Sequence, residues 1–129
     1  MIVLDTHIWL WWIAGDSRLL TEQRIEAINT EDEVAISAIS CFEAAWLERH
    51  GRISFPCSRE IWFQMALDGS GIKIIPITPE ISGIAVDLPY HHNDPQDRLI
   101  IATSIAHNSH LMSSDKKFSM YQELENKLI

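Results

Sequence analysis

Four acidic residues are placed where a folded chain could gather them: Asp5, Glu43, Asp97 and Asp115. Each follows an apolar, strand-like run or opens a helix-like run. Strand ends and helix starts meet along one edge of an open α/β sheet, where such folds build their sites. Carboxylates gathered there repel: at about 4 Å a like-charged pair costs roughly 4 kcal/mol at an effective dielectric near 20. A divalent cation bound by oxygen ligands is the simplest offset, and carboxylate oxygens suit Mg²⁺ or Mn²⁺. One such ion lowers the pKa of a bound water, and a second, about 3.5–4 Å away, stabilises a leaving oxygen. The chemistry this set allows is phosphodiester hydrolysis, with one ion or two.

Each acid also has a plainer reading. Asp5 can cap the helix that follows, as can Thr6. Ser40-Cys41-Phe42-Glu43 fits a capping box, Ser40 capping and Glu43 bonding back. In Asp94-Pro95-Gln96-Asp97, Asp94 caps, Pro95 takes the first helical position, and Asp97 complements the helix dipole. Asp115 can be a turn residue beside Ser113 and Ser114. The placement of all four on one edge, spread over the whole chain, favours a site.

The elements that would position them alternate. Ile2-Val3-Leu4 is β-branched and wholly apolar, a buried strand. His7 to Ile13 is apolar all round and reads as a buried or interfacial helix stopped by Gly15. A helix over Thr21–Asn29 and a strand over Glu33–Ser37 follow, then helices over Ser40–His50 and Ser58–Leu67. Lys73–Pro76 is a strand whose proline marks an edge or an end. Thr78-Pro79-Glu80 starts a helix. Asp94 opens another, running to about Asn108, and His110–Ser113 is a fourth strand. Lys127-Leu128-Ile129 adds a candidate fifth. Strands alternating with helices predict one α/β/α three-layer domain over residues 1–129, with a mostly parallel four- to five-stranded sheet.

Composition narrows the class. The chain is 129 residues, 47% hydrophobic, with a formal net charge of −8. That length can bury a real core in one domain. No apolar run is long enough to cross a bilayer and no leader is visible, so the expectation is a cytoplasmic protein. Cys41 and Cys57 have no disulfide or metal spacing and are expected as reduced thiols, buried or half-buried. The charge argues against a broad basic face for nucleic acid, but not against a nucleic-acid enzyme whose acids hold metal. His91-His92 invites a zinc reading, which adjacent, diverging histidines do not support. Trp9, Trp12, Trp46, Trp62 and Phe63 could stack bases, but at helical spacing they read first as core or interface.

At this point the motifs resemble a known family. Val3-Leu4-Asp5-Thr6-His7-Ile8-Trp9-Leu10-Trp11-Trp12 resembles the first motif of PIN-domain proteins, especially the VapC-type toxins. Ile36 to Ala45, carrying Glu43, resembles the second, and Asp94-Pro95-Gln96-Asp97-Arg98-Leu99-Ile100-Ile101-Ala102 the third and most specific. Leu111-Met112-Ser113-Ser114-Asp115 is similar to the fourth. The likeness covers nearly the whole chain. It implies a metal-dependent ribonuclease whose acids fall on Asp5, Glu43, Asp97 and Asp115. Asp5 and Asp97 would then be the central ligands. Thr6 and Ser114 could orient ligands or water. Arg98 could hold a phosphate oxygen, or pair with Asp94 or another acid. The resemblance further implies an RNA substrate (tRNA or rRNA) and a cognate antitoxin whose tail covers the site, and some of the aromatic surface is expected to bury in a homodimer or to receive a partner. The other classes open to the sequence are a catalytically silent module of the same fold and a phospho-acceptor receiver with Asp5 as acceptor. The receiver fits poorly, because the first strand carries a single acid.

Overall fold

β1 (Ile2–Leu4) is the strand from which the sheet is ordered. The computed structural model describes residues 1–129. In chain order, β1 leads into α1 (Thr6–Ala14), α2 (Glu22–Asn29), β2 (Val34–Ser37) and α3 (Ala38–Arg49). There follow α4 (Arg59–Phe63), a π-helical turn (Gln64–Asp68), β3 (Lys73–Ile75), α5 (Pro79–Asp87), α6 (Pro95–Ala106) and β4 (His110–Met112). Two 3-10 turns, Lys116–Met120 and Gln122–Leu124, close the chain. All pairings are parallel, in the order β3-β2-β1-β4. The edge position of β3 accommodates Pro76, which follows it.

Side chains alternate across the strands, and the two faces bury two separate cores. Val3, Ala35, Ile75 and Leu111 face a cluster completed by Ile81, Ile100, Ile101 and Phe118, under α5 and α6. Ile2, Leu4, Ile36 and Met112 face the other, with Ile8, Trp9, Ile28 and Trp62 from the opposite helices. This is the expected three-layer arrangement. Trp9 and Trp62 meet edge to face at 5.3 Å, and Phe55 stacks on Trp62 at 4.0 Å. These two tryptophans are therefore core, while Trp46 is exposed. Cys41 and Cys57 are free and half-buried, as expected.

Three local expectations change. The fifth strand is a single parallel bridge, Leu111 to Leu128, beside β4. The predicted helix over Ser58–Leu67 widens into the π turn after Phe63, where Gly69 N–H reaches back to Gln64 O at 3.3 Å. A Cβ at Gly69 would lie 2.8 Å from Met65 O, so this turn closes only on glycine. The third change concerns α3. β2 runs straight into it, and Ser37 is both the last strand residue and the cap, its Oγ accepting from Ile39 N–H at 3.3 Å. Ser40 lies inside the helix, so Ser40 and Glu43 form no capping box. Thr21, Ser58, Thr78 and Asp94 do cap their helices.

This assignment is testable by urea unfolding. Ser37→Ala is expected to lower stability by about 1 kcal/mol, the usual loss of a cap. Glu43→Gln is expected not to lower it. An equal loss from Glu43→Gln would restore the capping box.

Candidate active site

The chain leaves β1, builds β2 and β3 on one side, and returns to place β4 on the other side of β1. The crevice beyond the ends of β1 and β4 is thus a topological switch point, the usual binding position in open α/β sheets. Asp5 lies there. Its backbone N–H extends the sheet to Met112 O at 2.9 Å. Its Oδ1 accepts from Thr6 N–H at 2.8 Å and its Oδ2 from Ser113 Oγ at 2.7 Å. Asp5 therefore caps α1 and faces the site at once. Burial pushes its pKa up, against the two hydrogen bonds, and Asp115 adds to the upward push.

Glu43 approaches from α3. Thr6 Oγ1 donates to Glu43 Oε1 at 2.9 Å and lies 2.8 Å from Ser40 Oγ. With the Thr6 proton committed to Glu43, Ser40 donates to Thr6. Thr6 thus holds one oxygen of Glu43. Partial burial, with Asp5, Asp97 and Asp94 nearby, raises Glu43 to about 7.

Asp94 caps α6 through Gln96 N–H at 3.0 Å, leaving Asp97, in the first turn, to face the other acids. Burial first, then Asp5, Asp94 and Asp115, raise Asp97 to about 6; His92 opposes the shift. Unlike the other three acids, the Asp97 carboxylate accepts no hydrogen bond from the protein.

Arg98 corrects the sequence reading. It is buried and pairs with none of the acids. Its guanidinium donates to the carbonyls of Val86 (3.3 Å), Leu88 (2.7 Å), Pro89 (2.9 Å) and His92 (3.2 Å). Tyr90 covers it at 4.6 Å. It shapes the loop before α6 and is not placed to hold a phosphate.

Asp115 follows β4. Its Oδ1 accepts from Lys117 N–H at 2.9 Å, and Nε2 of buried His92 lies 3.1 Å from Oδ2. Burial pushes its pKa up, but these contacts outweigh burial and hold it low. Ligand atoms of His92, Asp97 and Asp115 lie within 4.8 Å of one another. His91 is not among them, so the two histidines do not act as a pair. Ser114 is exposed and bonds no acid, so the orienting role expected of it falls to Ser113. Ser113 and His92, weighed in the sequence only as a turn neighbour and as half of a zinc pair, contact site acids here, and Tyr121, the partner of His92, had no sequence signal.

Thr6 thus bonds both Asp5 and Glu43, ligand atoms of Asp97 and Asp115 lie within 4.8 Å of each other, and the four acids are coupled by mutual charge. The PIN domain family model matches residues 2–124. The chain belongs to the PIN-domain family. The Ribonuclease VapC22 of Mycobacterium tuberculosis is 36% identical over 122 residues, covering 94% of this chain and 92% of that protein. Two solved structures share the PIN-like architecture. A toxin–antitoxin complex from Klebsiella pneumoniae aligns with TM-score 0.67 and 22% identity, over 100% of this chain and 96% of that one. VapBC2 from Rickettsia felis, bound to a promoter DNA fragment, aligns with TM-score 0.66 and 24% identity, over 100% and 98%. Family membership sets aside the receiver reading.

The donor set of this PIN domain fits a hard cation. It is rich in carboxylate oxygen, and the half-buried Asp97 carboxylate, an acceptor with no donor, is the group a cation would satisfy. Asp5, Asp97, Glu43 and Asp115 are the residues that could hold it.

The raised acids carry a pH signature in the metal-free protein. A carboxyl group with a raised folded pKa favours the folded state below its unfolded pKa, and that advantage is lost as pH climbs through the folded value. For Glu43 and Asp97 the window runs from the ordinary carboxylate range up to about 7 and about 6. The melting temperature in chelator is expected to fall between pH 5 and pH 8. Asp97→Asn should recover about 1–2 kcal/mol at pH 8 after allowing for solvent screening, roughly 3–8 °C. A flat profile shared by wild type and variant would contradict the charge crowding described.

Proposed function

We propose that this chain is a metal-dependent endoribonuclease and the toxin of a toxin–antitoxin pair. The observation that carries the reading is Asp97, half-buried among Asp5, Glu43 and Asp115 without a hydrogen-bond donor. Its likeness to a protein named a ribonuclease supports the RNA substrate. Asp5 and Asp97 are the central ligands for Mg²⁺ or Mn²⁺, with Glu43 and Asp115 completing the site. When bound, one or two such ions neutralise the acids and make an attacking water acidic enough for hydrolysis near neutral pH.

The chain's own groups do the remaining work. Thr6 and Ser113 hold carboxylates in fixed orientation, at distances of 2.7–2.9 Å. Glu43, with a pKa of about 7, can hold or release a proton at neutral pH, as a group assisting proton transfer must. The protein's excess of acid does not bar RNA, because cation binding removes local negative charge where the scissile phosphate approaches.

An apolar groove of about 880 Å³ is lined by His7, two residues beyond Asp5, and by Leu10, Trp11, Phe55, Trp62 and Met65. It suits an apolar antitoxin segment whose basic end reaches the acids. The antitoxin is proposed from the toxin–antitoxin complexes this fold resembles. Exposed apolar side chains, among them Phe42, Trp46, Val86 and Tyr90, leave surface for the proposed homodimer. No helix is long and apolar enough to cross a membrane, and we place the enzyme with its RNA in the cytoplasm.

RNA cleavage by purified protein with Mg²⁺ or Mn²⁺ tests the reading. Loss of a residue that merely supports a metal ligand costs about 10–100-fold, so Asp97→Asn or Asp5→Asn should reduce cleavage at least that much. Chelator should abolish it. Cleavage that survives either variant or chelation sinks the metal assignment. A folded wild type that neither binds Mn²⁺ nor cuts RNA would favour the silent module.

A further inference from the structure

His92 is held on every side. Its buried ring stacks on Tyr121 with 5° between planes and 5.6 Å between centroids, and meets Phe118 edge-on at 5.1 Å. Its backbone N–H donates to Tyr121 Oη at 3.1 Å, and the same hydroxyl lies 3.0 Å from Nδ1. Its carbonyl takes Arg98 Nη1 at 3.2 Å. Its remaining ring nitrogen, Nε2, faces Asp115 Oδ2 at 3.1 Å.

One proton arrangement satisfies every partner. The backbone N–H donates to the Tyr121 hydroxyl, the hydroxyl donates to Nδ1, and Nε2–H donates to the Asp115 carboxylate. With Lys117 N–H on Oδ1, Asp115 is then fixed at both oxygens. Arg98, next to Asp97 in sequence, anchors the loop carrying His92. The placement of Asp97 and that of Asp115 are thereby tied together through one buried guanidinium and one buried imidazole.

We infer that His92, set by Tyr121, is a positioning residue that aims Asp115 toward Asp97 for a shared divalent cation and does not itself ligate that cation. The geometry separates these two roles. The Nδ1 lone pair is taken up by Tyr121, and Nε2 carries the proton that Asp115 accepts, so neither nitrogen offers electrons to a metal. Carboxylates that ligate metals are commonly held by such outer donors, whose loss costs about 10–100-fold in metal affinity or activity.

The inference rests on the proposed cation-dependent activity, and the test keeps the two apart. Mn²⁺ affinity is measured by calorimetry on wild type, His92→Leu, His92→Gln and Tyr121→Phe, each first shown to be folded by thermal melting. RNA cleavage is measured on the same proteins. Wild type must bind Mn²⁺ and cut RNA; if it does neither, the functional reading fails first. Given that, His92→Leu is expected to weaken Mn²⁺ about 10–100-fold and to lower kcat while leaving KM for RNA nearly unchanged. His92→Gln, which keeps an N–H donor near the position of Nε2, should recover most of the loss. Tyr121→Phe, which keeps the ring but frees Nδ1, should fall between. In the metal-free wild type, long-range ¹⁵N–¹H spectra should show the proton on Nε2. Wild-type Mn²⁺ affinity in folded His92→Leu, equal losses in the Leu and Gln variants, or the proton on Nδ1 would each overturn the positioning role. So would ¹⁴N coupling from His92 to bound Mn²⁺, which would make it a ligand.

Discussion

The parallel pairing of β1 with β4 is the contact on which the site depends. It joins the first strand of the chain to the last, with Ile2 beside His110, Val3 beside Leu111 and Leu4 beside Met112. Carried one step further, this register puts Asp5 beside Ser113, 108 residues away, and the 2.7 Å bond between them follows. Asp115 is then two residues beyond, on the same edge. β2 lies on the other side of β1 and ends at Ser37, so α3 springs from that edge and brings Ser40 and Glu43 against Thr6. The acids are neighbours because the sheet order changes direction at β1.

The acids are not held alike. Asp5 and Asp115 are each fixed at both oxygens, Glu43 at one, and Asp97 at none. The two with no or one donor, Asp97 and Glu43, are pushed up to about 6 and about 7, and in both burial is the leading cause. The fixed carboxylates define the position, and the free one can adapt to what binds there. Such an arrangement works against the stability of the metal-free fold at neutral pH, and functional sites commonly do. The two cores, built on opposite faces of the sheet from residues such as Trp9, Ile36, Ile100 and Phe118, supply the rigidity that keeps the acids together.

Much of this was legible in the sequence because it is written in local patterns. The buried run Ile2-Val3-Leu4, the caps at Thr78 and Asp94, and the proline beside an edge strand each have short-range signatures. The positions of the four acids relative to those elements were therefore readable. What escaped depends on register or on continuity between elements. Ser113 matters, and Ser114 does not, through a strand pairing over a hundred residues apart. Ser37, not Ser40, caps α3 because the strand enters the helix without an intervening turn. Arg98 looked like a phosphate ligand in one dimension, and four carbonyls of the preceding loop claim it in three. His92 drew notice only as half of an adjacent histidine pair, since its actual partners Tyr121 and Asp115 lie 29 and 23 residues away.

The central claim is that Asp5, Asp97 and Asp115, with Glu43 beside them, form a single cation site at the ends of β1 and β4. Anomalous scattering from a crystal of the protein grown with Mn²⁺ tests it most directly. An anomalous peak is expected at this crevice, within ligand distance of Asp97 and at least one of Asp5 and Asp115. An empty crevice, with Asp97 solvated by water alone or Mn²⁺ found only elsewhere on the surface, would contradict it.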